Sequence, residues 1–185
     1  MKRTLIALSA AALLPFAASA NELSYSFVEL GYAGVDSSVD ASGAAVRGSV
    51  AVGDSFYLHG AYKDLRTERI GMFARRLSVE EWNLGAGYRL AIGASTDLIS
   101  ELSYQELRVM GQTGDGWIAE VGVRSALASN FELRATGGYD RFEGRGKGFA
   151  RLGGVLKFNP NWGLSADAKL IDGDVEYFVG ARLSF

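Results

Sequence analysis

The chain predicts an all-β fold, an antiparallel up-and-down transmembrane β-barrel of ten strands, with eight as the alternative count. Three observations predict it. Apolar and polar residues alternate with period two through nearly all of the chain after residue 20. One of the two faces so defined is almost uncharged and gathers its aromatic residues at two heights. The other face carries nine acids and nine bases, which cancel.

Residues 1–20 read as a cleaved signal peptide and not as part of the fold. Lys2 and Arg3 supply a positive start, Leu5 to Leu14 an apolar stretch, and Ala18-Ser19-Ala20 a small-residue cleavage site. The apolar stretch is too short for a helical span, which needs about 20 residues. The remaining domain, 21–185, holds 17 basic against 21 acidic residues and offers no footprint for nucleic acid. It has no cysteine, so neither a disulfide scaffold nor thiolate chemistry is available. The full chain has 24 glycines, 11 % aromatic residues and two prolines, of which only Pro160 falls after residue 20, a composition that suits close-packed strands. No run of 18 apolar residues follows the signal, so a membrane location would require a closed barrel.

The ten segments follow in order. Segment 23–33 sets Glu29 against Val28, Leu30 and Tyr32, and 43–52 sets Arg47 against Val46, Gly48 and Val50. Segment 55–65 opposes His59 and Lys63 to Phe56, Leu58 and Tyr62. Segment 79–90 opposes Glu81 and Arg89 to Trp82, Leu84, Ala86 and Tyr88. In 96–107, Asp97 and Glu101 alternate with Leu98, Leu102 and Tyr104, and in 116–127 Glu120 and Arg124 alternate with Trp117, Ala119, Val121 and Val123. Segment 131–142 sets Glu132, Arg134 and Asp140 against Phe131, Leu133, Ala135 and Tyr139. Segment 148–158 sets Arg151 and Lys157 against Ala150, Leu152, Leu156 and Phe158. The last two, 162–171 and 174–185, oppose Asp167, Lys169, Glu176 and Arg182 to Trp162, Leu164, Leu170, Tyr177, Val179, Leu183 and Phe185. These lengths match a tilted membrane strand of about 9–11 residues.

Connections are expected to alternate. Gly53-Asp54, Ala91 to Ser95, Ala128 to Asn130 and Asn159 to Asn161 are short, whereas 34–42, 66–78 and 108–115 are longer and more polar. Short turns on one side and long loops on the other place the short side, with both termini, in the periplasm. Short turns are followed by a recurring polar, aromatic, Leu, small pattern at Asp54, Asn130 and Asn161, the mark of repeated hairpins.

The aromatic rims fix the faces. Tyr32, Tyr62, Trp82, Tyr104, Trp117, Tyr139 and Tyr177 stand at the long-loop ends, and Phe56, Phe131, Phe158, Trp162 and Phe185 at the short-turn ends. Phe131 and Tyr139 are eight residues apart, about 20 Å of height at ordinary rise and tilt, close to the apolar band of such barrels. A soluble barrel has no reason to sort aromatics by height.

The charged face would then line a narrow lumen. Its expected ion-pair network comprises Glu29, Arg47, Glu81, Arg89, Glu101, Glu120, Arg124, Glu132, Arg134, Arg151, Asp167, Lys169, Glu176 and Arg182. Thirteen Arg against four Lys in the mature chain suits bidentate pairing. His59, the only histidine, falls in the periplasmic half. Ala61 stands two residues on, where a serine would be needed, so His59 reads as structural. No catalytic, cofactor or metal site is expected. Gly85, Gly87, Gly122, Gly137, Gly153 and Gly154 lie inside strands with no following helix, and admit bulky neighbours or relieve curvature. Arg66, Arg69, Arg75 and Arg76 are candidate contacts to lipopolysaccharide phosphates, as are Arg141, Arg145 and Lys147; a plain solvated loop explains both groups equally well.

Several stretches together resemble one family. They are Ser24-Tyr25-Ser26-Phe27-Val28-Glu29 with Gly31-Tyr32, Trp82-Asn83-Leu84-Gly85-Ala86-Gly87-Tyr88, Asn159-Pro160-Asn161-Trp162-Gly163-Leu164, and Tyr177-Phe178-Val179-Gly180-Ala181-Arg182 with Phe185. The chain resembles over its whole length the Ax-twenty-one family of small outer-membrane barrels, within the opacity-protein-like class. The resemblance implies an outer-membrane location, outer-membrane vesicles included, and an association with biofilm, motility and surface behaviour, with no catalytic motif. The ending at Phe185 is similar to the signal read by the barrel-assembly machinery.

The expected function is thus a barrel with a plugged, charge-paired lumen acting in surface structure or interaction. The alternative is a narrow, passive, porin-like channel, and an enzyme is not expected.

Overall fold

The structure is a computed structural model that describes residues 23–37, 40–67 and 77–185. The expected signal peptide lies outside the described residues. Ten strands form, β1 Phe27–Asp36, β2 Ala41–Val52, β3 Phe56–Thr67, β4 Ser78–Ala91, β5 Thr96–Val109, β6 Gln112–Ala128, β7 Phe131–Phe142, β8 Arg145–Lys157, β9 Trp162–Ile171 and β10 Asp174–Ser184. Each pairs antiparallel with its sequence neighbour, and β1 pairs with β10 from Phe27↔Ser184 to Asp36↔Val175, closing the barrel. No free sheet edge remains along that seam, as a lipid environment requires of a spanning sheet.

The two faces have opposite exposure. Leu30, Leu84 and Leu102 are 60–63 % exposed, while Glu29, Glu132, Lys169 and Arg182 are 5 % exposed or less. This inverts a soluble protein, where leucines hide and charges face water. The exposed belt lies between two rims. On one, Trp82 and Tyr104 ring centroids are 5.5 Å apart and Trp117 and Tyr139 are 5.9 Å apart, a chain of aromatics across β4 to β7. On the other, near the termini, Tyr88 joins the expected aromatics by packing 5.2 Å from Phe56.

Two expectations are corrected. The segment 108–115 is no long loop: β5 and β6 run on as a ladder to Val109↔Gln112 and reverse through Met110-Gly111. Likewise Phe142↔Arg145 and Ile171↔Asp174 close on Glu143-Gly144 and Asp172-Gly173. In all three turns both central residues have positive φ, the type I′ geometry whose twist matches that of the flanking strands. At these three hairpins the asymmetry between the barrel ends is one of overhang, while β3 and β4 remain separated by ten residues. Five ladder pairs continue past the Tyr104↔Trp117 rim pair, about 13 Å of added height at ordinary rise and tilt. Between β3 and β4 the neck is closed by Thr67 and Leu77, whose backbone N–H···O bond is 3.0 Å.

The second correction concerns the start. Residues 23–26, expected in the first strand, precede β1 and carry Leu23 and Tyr25 into the interior. Leu23 and Tyr25 pack there with Tyr57, Ile99 and Ala126. A second apolar cluster of Ala33, Ala45, Leu65 and Phe178 lies toward the hairpin end.

Inward glycines seat inward aromatics. A Cβ on Gly87 would strike the Tyr57 ring, one on Gly138 the Phe149 ring, and one on Gly31 or Gly180 the Phe178 ring. Strands of a narrow barrel leave no other room for a ring folded against the wall.

Candidate functional site

The charged lumen is the only place where the fold collects chemistry among the described residues, and it is arranged in tiers. Nearest the termini, Arg124 Nη2 meets Glu132 Oε2 at 2.5 Å, Lys157 Nζ meets Glu132 Oε1 at 2.6 Å, and Arg89 lies 3.7 Å from Asp97. Above them, Arg47 donates to Glu29 at 2.8 Å and to Asp167 at 2.6 Å, with Arg182 3.6 Å from the other Glu29 oxygen. Across from these, Arg134 bridges Glu101 and Glu120 at 2.7 and 2.8 Å, and Arg151 reaches Glu120 at 3.8 Å. Thr136 donates its hydroxyl proton to the same Glu120 carboxylate. Toward the hairpin end, Lys63 meets Glu81 at 2.9 Å and Glu176 at 3.4 Å, while Lys169 meets Asp140 at 2.8 Å and Glu176 at 3.2 Å.

All fourteen residues named for the lumen thus take part in an ion pair, and Lys63, Asp97, Asp140 and Lys157 from the same face complete the pairs. Strand parity explains why. Every inward position alternates with a lipid-facing one, and cross-strand neighbours on one face lie about 5 Å apart at Cβ.

The interior also holds what a charge-only reading misses. Arg47 lies 3.5 Å over the Phe178 ring and Arg182 3.6 Å over Phe27. Lys169 sits 4.8 Å above Phe149. Aromatic faces there share the cations with the carboxylates. The signal was available: Tyr57, Phe149 and Phe178 fall on the same parity as their strands' charges, beside outward neighbours of equal hydrophobicity.

His59 has a neighbour that spacing within β3 cannot reveal. Ser103 Oγ stands 3.4 Å from its Nε2, reaching from β5 past Gly85, the residue of β4 paired with His59. Tyr57 packs 6.0 Å from the imidazole and donates its hydroxyl proton to Glu101 at 2.7 Å. Glu101 is engaged by Tyr57 and Arg134, so among the described residues no carboxylate hydrogen-bonds the imidazole to complete a triad. No group of three metal-ligating side chains occurs among the described residues.

The space left is small. One cavity of about 180 Å³ runs along the lumen, with Tyr25 and Ile99 at one end of its wall and Val35 and Tyr177 at the other. Arg134 Nε, Arg151 Nε and Ser49 Oγ are buried without a hydrogen-bond partner in the protein. The lining holds as many acids as bases, so it carries no net formal charge.

Of the proposed lipopolysaccharide contacts, Arg66 is exposed near the end of β3, level with Ser42 and Ser78 of its neighbours. Arg69, Arg75 and Arg76 lie outside the described residues. Arg141 is exposed on β7, and Lys147 pairs with Asp172 at 2.8 Å on the neighbouring hairpin.

A closed antiparallel barrel with leucines outside, two aromatic rims and paired charges inside is a small transmembrane β-barrel. The chain shares this fold with two porins. It is similar to the NanC porin, with a TM-score of 0.53 at 7 % identity over 85 % of this chain and 100 % of that one. It is also similar to the KdgM porin solved in complex with disordered oligogalacturonate, with a TM-score of 0.52 at 12 % identity over 85 % of this chain and 99 % of that one. At such identities the likeness speaks to the fold alone. No family model matches the chain, and no curated protein matches it.

Proposed function

We propose that this chain is a bacterial outer-membrane barrel, closed at rest, that acts in cell-surface structure or interaction and not in bulk solute transport. One observation carries the reading. Eighteen inward charges, nine of each sign, are bonded to one another across a lumen whose free space is about 180 Å³. Opening a wide path would strand desolvated charges, and breaking one buried pair costs about 3–5 kcal/mol. The resemblance of its motifs to the Ax-twenty-one family supports a surface role linked to biofilm, motility or adhesion.

A narrow passive channel is the second reading. A cavity whose lining reaches toward both ends of the lumen favours it, and so does a fold shared with two porins. Recording from the purified full chain in planar bilayers separates the two. The closed barrel is expected to be silent, and steady openings in the wild type would overturn it.

A further inference from the structure

The segment ahead of β1 lines the lumen without belonging to the wall. It leaves the barrel at Ser26, whose carbonyl accepts from Phe185 N at 3.0 Å and whose hydroxyl accepts from Ala51 N at 3.1 Å. From there Tyr25 crosses the mouth. Its hydroxyl donates to Asp97 Oδ2 at 2.9 Å, on β5, four strands round the wall from β1. Its ring is met by the guanidiniums of Arg89 and Arg124 at 4.7 and 4.6 Å and packs 4.8 Å from Tyr57. Leu23 fills the remaining space against Ile99 and Ala126.

We propose that residues 23–25 form a removable plug hinged at Ser26, and that the cavity behind it is a latent pathway for small inorganic ions. The inference rests on the reading of the barrel as closed at rest, and deepens it by naming the element that closes the termini end. Two features make the plug removable. Tyr25 and Leu23 are held by side-chain contacts, and the further backbone tie is Arg182 Nη2 to the Ser24 carbonyl at 3.2 Å. No ladder bond of the barrel is broken when they leave, since β1 begins at Phe27. Local opening is cheapest where contacts are few and the backbone is outside the sheet.

Two features make the space behind it a pathway. The lining of the cavity reaches from Tyr25 to Val35 and Tyr177 at the hairpin end, and its wall carries unpartnered polar atoms, Arg134 Nε, Arg151 Nε and Ser49 Oγ, that an entering ion or water can engage. Its size admits water and small ions and not a sugar chain. Its balanced lining predicts weak preference between small cations and anions.

The test compares wild type and Tyr25→Ala in planar bilayers bathed in potassium chloride. Silence from wild type and steady small openings from Tyr25→Ala are the expected results. If the wild type already conducts steadily, the closed-barrel reading fails. If the wild type is silent and the folded variant is equally silent, the plug fails while the closed barrel stands. A second measurement does not depend on conduction or on the ring's removal. The chain has no cysteine, so Ser49→Cys places a single thiol in the lumen behind the plug. A charged methanethiosulfonate reagent is expected to label it slowly, and roughly tenfold faster or more when Leu23→Ser or Tyr25→Phe loosens the plug. Fast labelling in the Ser49→Cys protein itself, or equal rates in all three, overturns the inference.

Discussion

Glu132 shows what a single residue does in this lumen. It is 2 % exposed and takes Arg124 on one oxygen and Lys157 on the other, so among the described residues its carboxylate is the sole ion-pair partner of both cations. Replacing it with alanine leaves a buried Arg124 and a half-buried Lys157 without this ion-pair partner. Glu132→Ala is therefore expected to lower stability by about 3–5 kcal/mol, read as a shift of the urea unfolding midpoint in lipid vesicles. A shift within error would mean that water reaches this tier freely. Ser103 and His59 make a different point at the same scale: residues 44 apart meet at 3.4 Å because one glycine between them, Gly85, leaves the gap.

Elements are set by parity and by their turns. A strand that alternates lipid and lumen residues cannot slip by one without turning its charges into the membrane. The centre of β7 tests the assignment of faces. Ala135 pairs with Val123 and Leu152, midway between Phe131 at one rim and Tyr139 at the other. Ala135→Lys is expected to cost about 2–4 kcal/mol, measured by folding titrations into bilayers, because the ammonium is driven into hydrocarbon. Equal stability would place this face away from lipid. The overhanging hairpins follow from the same rule. Gly111, Gly144 and Gly173, each after a non-glycine residue at positive φ, let the ladder reverse in two residues, so polar stretches that read as loops are strands continued above the rim.

At the scale of the whole molecule the decisive contact is the seam. Nine of the ten ladders join neighbours in sequence, and only β1–β10 joins the ends of the chain. Gly31 and Gly180 are paired across that seam, and both lie beneath the Phe178 ring. A Cβ on Gly180 would stand 2.7 Å from the Leu30 carbonyl oxygen. Gly180→Leu is expected to block closure, so that unheated samples lose the compact, fast-migrating form in detergent gels. Retention of that form would show that the seam can shift to admit a side chain. The Glu29–Arg182 ion pair, at 3.6 Å, ties the same two strands from inside.

The sequence by itself determined the strands, the two faces, the rims and the sign-balanced lumen, because these depend on period-two alternation and on local turn residues. Tyr139 and Phe131 declare their height by counting along one strand, and Glu120 declares its face by its neighbours Ala119 and Val121. What only the tertiary structure decided was which residue meets which across the lumen, and what fills the space between. Tyr25 to Asp97 spans 72 residues and Arg47 to Asp167 spans 120, and no spacing in the chain encodes either distance. Barrel curvature brings those pairs together, and curvature is a property of the closed sheet. For the same reason, a segment that alternates like a strand, Leu23 to Tyr25, became the plug of the mouth instead of part of its wall.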